Sequence, residues 1–121
     1  MELIKFIEGK VVEGSKIGRT LGFPTINIEG PHDLPYGVYF CEVLTKGGKF
    51  KGAMHYGPRY AVQNLEPKLE ILLLNFKGDL YGETVKIDVY DKIRDVRPFP
   101  DLISLKEQIR KDVQYIRKKY D

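Results

Sequence analysis

For three-quarters of its length the chain reads as short runs of β-branched, aromatic and other apolar residues broken by turn residues; then the period changes. The runs fall at 6–12, 25–28, 37–44, 49–56, 68–76 and 84–93. Runs of this kind, bounded by glycine, proline and short polar residues, predict strands. Lys46-Gly47-Gly48 lies between two of them and predicts a hairpin. Lys77-Gly78-Asp79, continuing through Leu80-Tyr81-Gly82, predicts the link between the last two. Six strands with no helix between them predict antiparallel pairing, and closure into a small barrel would remove exposed edges. Periodicity alone leaves barrel and sandwich both open.

Over the last twenty residues the spacing becomes helical. Leu102, Leu105, Ile109, Val113 and Ile116 recur at three- and four-residue intervals with charge between them. Ser104-Leu105-Lys106-Glu107 has the form of a capping box. The prediction is an amphipathic helix laid on the strands. The cations near its end, among them Arg117, Lys118 and Lys119, oppose the helix macrodipole.

Composition narrows the class. A chain of 121 residues with 42% hydrophobic content is expected to form one domain, 1–121, with a core of its own. No apolar run approaches the roughly 20 residues of a membrane-spanning helix, and Met1-Glu2-Leu3-Ile4-Lys5 lacks the shape of a signal peptide. A single cysteine, Cys41, cannot form an internal disulfide and reads as a buried thiol. These features predict a cytoplasmic protein with no membrane partner. The net charge of +3 is mild, and no basic surface interleaved with aromatics is legible, so no nucleic-acid partner is expected. A closed small barrel is expected to be a monomer.

Candidate chemistry concentrates between residues 14 and 27. Gly14, Gly18 and Gly22 let a backbone approach a ligand closely, and successive N–H groups of such a loop can cradle an anion. Lys16 and Arg19 add positive charge for phosphate. Pro24 sets a turn, after which Thr25 and Asn27 share one strand face and Ile26 and Ile28 the other. A hydroxyl and an amide oxygen beside a cationic loop suit a Mg²⁺–nucleotide, because Mg²⁺ takes hard oxygens and completes its shell with phosphate and water. The loop is not a P-loop: Ser15-Lys16 reverses the Lys–Ser/Thr order. Nor does a strand–GxGxxG–helix unit occur.

From its strand alone Glu70 reads as a strand-end glutamate that reaches water or pairs with Lys68, or as a general base. Alternation along its strand puts it with Leu72, Leu74 and Phe76, against Leu69, Ile71, Leu73 and Asn75 on the other face. Apolar company on both faces predicts that Glu70 is partly withdrawn from water.

The motifs occur in the order found in one family. Gly9-x-Val11-x-x-Gly14-x-x-x-Gly18-Arg19-x-Leu21-Gly22-Phe23-Pro24-Thr25-x-Asn27 resembles the signature of the riboflavin kinase (flavokinase) family. Pro35-Tyr36-Gly37-Val38-Tyr39 resembles its Pro-x-Gly-Val-Tyr. Gly52-Ala53-Met54-His55-Tyr56-Gly57-Pro58-Arg59 resembles its Gly-…-Asn-Ile-Gly-x-Arg, and the run from Glu70 to Gly82 its Glu-x-His-x-x-Asp-Phe-x-Gly-Asp-Leu-Tyr-Gly. Arg94-Asp95 through Phe99, with Leu105, Gln108-Ile109 and Asp112, resembles the family's C-terminal pattern.

The resemblance implies a six-stranded Greek-key barrel with a C-terminal helix. It implies a kinase that moves the γ-phosphoryl of ATP to the ribityl 5′-hydroxyl of riboflavin, yielding FMN and ADP, with Mg²⁺ as cofactor. It assigns Glu70 as catalytic base, Thr25 and Asn27 to metal, and Gly14, Lys16, Gly18, Arg19, Gly22, Pro24, Thr25 and Asn27 to the nucleotide phosphates. Arg94, Phe99, Leu102 and Leu105 fall in its flavin-side region. The family's adenylyltransferase half is not in this sequence, so the expected product is FMN and not FAD.

The chain departs from the family pattern at Leu72, where a histidine is usual, at Asn75 for aspartate, at His55 for asparagine and at Tyr60 for proline. These departures motivate an alternative, a flavin- and nucleotide-binding module impaired in catalysis. His55 reads as a structural or surface residue at a strand end. A third class, a structural or nucleic-acid-binding barrel, predicts no flavin effect on melting temperature.

Overall fold

In the computed structural model, which describes residues 2–13, 22–59 and 64–120, the strands close on themselves. They are β1 (Lys5–Val12), β2 (Thr25–Ile28), β3 (Gly37–Thr45), β4 (Gly48–Arg59), β5 (Asn64–Leu73) and β6 (Thr84–Arg94), followed by the helix α1 (Leu102–Lys119). The order around the barrel is β1-β2-β5-β4-β3-β6, and every neighbouring pair is antiparallel. Strand β6 returns to lie beside β3 after the run β3-β4-β5, which is the Greek-key order. The barrel alternative is therefore the one realised.

Alternation decides which residues fill the barrel. Ile26 and Ile28 of β2, Met54 of β4, Leu69, Ile71 and Leu73 of β5 and Ile87 of β6 point inward and are buried. Cys41 joins them as the expected buried thiol, and burial pushes its pKa up, away from reactive thiolate. The β3–β4 hairpin pairs Thr45 with Gly48 across Lys46-Gly47, as the Gly-Gly signal predicted. Gly52 sits inside the wall: a Cβ there would lie 2.7 Å from Ile71 Cγ2 and 3.1 Å from the Leu72 carbonyl oxygen. Gly52→Ala is therefore expected to cost about 1–3 kcal/mol by overpacking, read as a lower urea midpoint at unchanged slope.

A second apolar layer lies outside the barrel. Phe40, Ala53, Leu72 and Leu74 face outward and are covered by Val113 and Ile116 of α1. Tyr120, just past the helix, stacks on Phe40 with centroids 3.8 Å apart. Its hydroxyl donates to Asp91, and Lys51 Nζ donates to its carbonyl. The helix packs from Ile109 onward, while at its start Leu102 is 52% and Ile103 81% exposed.

Three expectations need correction. The helix is capped by Asp101, not through the Ser104 box: the Asp101 carboxylate accepts from Ser104 N at 2.7 Å. That hydrogen bond holds the Asp101 pKa below the usual carboxylate range. With Asp101 as N-cap, Ser104 is the N3 residue whose amide the cap satisfies, so Ser104 already lies inside the first turn and cannot cap it. Strand β5 ends at Leu73, before Phe76. Asn75 takes φ 59°, and beyond it Phe76 packs with the inner core instead of sharing the face of Glu70. Asparagine is among the few non-glycine residues that enter this region readily. Strand β4 runs to Arg59, so His55 lies well inside a strand and not at its end.

Candidate active site

The outer face of the barrel carries the candidate residues as a transverse row. Strand register pairs Asn27 of β2 with Glu70 of β5, and Glu70 with His55 of β4. His55 pairs with Val38 of β3, and Val38 with Arg94 of β6. Directly opposed residues project to the same face. Neighbouring strands lie about 4.8 Å apart, so the backbones of Asn27 and Arg94 are separated by roughly 19 Å around the wall. Glu70 stands between them, 8% exposed. A second row, Thr25–Leu72–Ala53, runs beside the first.

On the β2 side the surface opens into a pocket of about 440 Å³. Gly22, Pro24, Thr25 and Asn27 line one wall, and Phe76, Asp79 and Tyr81 the other. Gly22 takes φ 90°, a conformation that suits glycine and turns the chain into β2. Asp79 Oδ1 accepts from Tyr81 N at 2.8 Å, which shapes the opposite rim. Thr25 and Asn27 alternate outward from the buried Ile26 and Ile28, as the period-two reading required. The predicted Gly14, Lys16, Gly18 and Arg19 lie outside the described residues, as does Tyr60.

On the β6 side the residues assigned to flavin contact are organised by α1. Arg94 donates from Nε to Asp112 Oδ1 at 3.0 Å and from Nη2 to Oδ2 at 2.9 Å. Gln108 Nε2 donates to Asp112 Oδ1 at 2.9 Å, and Arg97 Nη2 to Gln108 Oε1 at 2.7 Å. Phe99 lies under both guanidinium groups, 5.9 Å from Arg94 and 4.7 Å from Arg97. The Arg94 guanidinium is thus occupied in pinning the helix to β6. Leu102, Ile103 and Leu105 lie in the first turn of α1, where Leu102 and Ile103 are exposed and Leu105 is half-buried.

Sequence reasoning did not assign Asp112 or Gln108 a role, although their i, i+4 spacing on the buried side of a helix was legible. It also missed that His55 faces Glu70, which depends on β4–β5 register and not on either strand alone.

The arrangement is a Greek-key barrel with a carboxylate held between a pocket of small-molecule size and an apolar helix terminus. Such a frame belongs to a small ligand-binding or group-transfer domain. This chain belongs to the riboflavin kinase family: the sequence model of that family, Flavokinase, matches residues 3–120. It is 40% identical to the RNA-binding riboflavin kinase RibR of Bacillus subtilis, over 95% of this chain and 51% of that protein. It is 40% identical to the bifunctional riboflavin kinase/FMN adenylyltransferase of Haemophilus influenzae, over 89% of this chain and 36% of that one. The chain therefore spans about half the length of the first and about a third of the second. Among solved structures, riboflavin kinase from Trypanosoma brucei superposes with a TM-score of 0.61 at 30% identity, over 93% of this chain and 77% of that one. A Streptococcus pneumoniae structure titled macrolide-efflux protein superposes at 0.80 with 28% identity, over 96% of this chain and 39% of that one.

Proposed function

We propose that this chain is an ATP:riboflavin 5′-phosphotransferase, folded as a single domain over 1–121. The observation that carries the reading is the placement of Glu70 on one row between Asn27, at the pocket, and Arg94, at the helix-flanked surface. Two substrates bound at the two ends of that row meet at Glu70. In the reaction the ribityl 5′-oxygen attacks the γ-phosphorus of ATP. A new O–P bond forms, the bond to the β,γ-bridging oxygen breaks, and ADP leaves. Glu70 accepts the proton of the attacking hydroxyl. Such transfers depend on alignment and charge neutralisation more than on covalent help.

Thr25 and Asn27 fit a Mg²⁺ ion by donor chemistry: two neutral hard oxygens, two residues apart on one strand face, leaving coordination positions for phosphate and water. When bound, the ion neutralises charge on the phosphates. The pocket wall from Gly22 to Asn27 receives the nucleotide phosphates, together with Gly14, Lys16, Gly18 and Arg19. Phe99, Leu102 and Leu105 offer the isoalloxazine ring apolar and aromatic surface, and Arg94 holds that surface in place through Asp112. Asn27→Ala is expected to raise the Mg²⁺ concentration for half-maximal rate by about tenfold with KM for riboflavin unchanged. A magnesium titration at saturating ATP checks it.

Two departures from the family pattern have structural reasons that leave Glu70, Thr25 and Asn27 in place. Asn75 serves a backbone conformation that asparagine adopts readily. Leu72 belongs to the seam beneath α1. The function is tested by single-turnover incubation with riboflavin, Mg²⁺ and each nucleotide in turn, with chromatography for FMN. FMN formation with ATP is the expected result. Absence of FMN with every donor, together with a riboflavin-induced rise in melting temperature, would establish the non-catalytic module instead.

A further inference from the structure

We infer that His55 is a positioning residue for Glu70, supplying from the neighbouring strand an imidazole that orients the carboxylate toward the ribityl hydroxyl. The inference rests on the proposed kinase reading and deepens it. His55 and Glu70 are directly opposed in the β4–β5 ladder. Directly opposed residues have Cβ atoms about 4.5–5.5 Å apart on one face, within reach of an imidazole and a carboxylate. Asn27 flanks Glu70 on its other side. The carboxylate thus has a polar side chain on each neighbouring strand and apolar Leu72 two residues along its own.

Leu72 and His55 stand on neighbouring strands of the same wall. Position 72 is opposed to Ala53, two residues before His55 on the same face, so the two sites are diagonal neighbours. Leu72 is buried with Phe40, Val113 and Ile116 under the helix, where an imidazole would lose its water. His55 is only half-buried. The imidazole therefore occupies the position adjacent to the carboxylate, and the helix seam gains a leucine. A general base performs best when a third group fixes its orientation, because the reacting oxygen must meet one lone pair in one direction.

Three variants test this: His55→Ala, His55→Asn and His55→Gln, with Glu70→Gln as reference. Asparagine places an amide nitrogen near the site of Nδ1, and glutamine near that of Nε2, so each restores one hydrogen-bonding position without the ring. Melting temperature, kcat, and KM for riboflavin and ATP are measured for each. The expected result is an His55→Ala protein of unchanged melting temperature, with kcat lowered about tenfold and both KM values within twofold. One of the two amide variants is expected to recover most of that kcat. An alanine variant with unchanged kcat would overturn the inference, as would a loss confined to KM or one that tracks melting temperature in all three variants. If the wild-type protein forms no FMN from any donor, the kinase reading itself fails, which separates that outcome from failure of the His55 assignment.

Discussion

Glu70→Gln is expected to lower kcat for FMN formation by about 10²–10⁴-fold, with little change in melting temperature or in riboflavin affinity. Glutamine keeps the size and one acceptor oxygen of the side chain but cannot take the proton of the ribityl hydroxyl. Removing the carboxylate does not open the core, because Glu70 faces out of the barrel while its neighbours Leu69 and Ile71 fill the inside. The check is a kcat measurement at saturating riboflavin and ATP beside a flavin fluorescence titration. A variant with more than about half the wild-type kcat would remove Glu70 from the proton-transfer role and leave phosphate alignment as the source of rate. Loss of flavin binding with kcat intact would instead move Glu70 into the flavin site.

Asp112→Ala carries the largest expected effect on stability. The Asp112 side chain is 6% exposed and that of Arg94 is 19% exposed, joined through two nitrogen atoms of the guanidinium. Deleting the carboxylate strands a largely shielded cation between β6 and α1 and leaves Gln108 without its acceptor. The cost is expected to be about 2–4 kcal/mol, somewhat below that of breaking a fully buried pair, because Arg94 retains some access to water. Replacing both partners by apolar residues, Arg94→Met with Asp112→Leu, is expected to recover most of the loss, since no uncompensated charge remains. Urea unfolding of the single and double variants measures both. A single variant within about 0.5 kcal/mol of wild type would show that the pair adds no net stability. Because the same pair positions Phe99 and the first turn of α1, the single variant is also expected to raise KM for riboflavin more than KM for ATP.

The two variants probe opposite ends of what the sequence could reveal. Through the family resemblance, and not from its strand pattern alone, Glu70 was legible as the candidate base. The Arg94–Asp112 clamp was not, because it joins residues eighteen positions apart whose meeting depends on how α1 crosses β6. His55 is a similar case. Its strand was visible, but only the β4–β5 register reveals that it stands against the carboxylate. Asp101 shows a local ambiguity: two capping oxygens compete near one helix start, and the one that reaches the Ser104 amide wins. Phe76 shows the effect of a single backbone angle, since the turn at Asn75 sends it to the inner core.

What the sequence determined by itself is local and periodic: the strands and helix, the hairpin at Lys46-Gly47, the inward faces of β2 and β5, and the outward Thr25, Asn27 and Glu70. These follow from period-two and period-3.6 patterns and from turn chemistry, which act over a few residues. What only the tertiary structure decided is closure and register. Pairing β2 with β5, and β5 with β4, brings Asn27, Glu70 and His55 into one row, and the half-docked helix leaves Leu102 and Ile103 uncovered. The physical reason is that a strand's own pattern specifies which face is apolar but not which strand lies beside it. That choice is made by burying the inner faces of all the strands in one core at once.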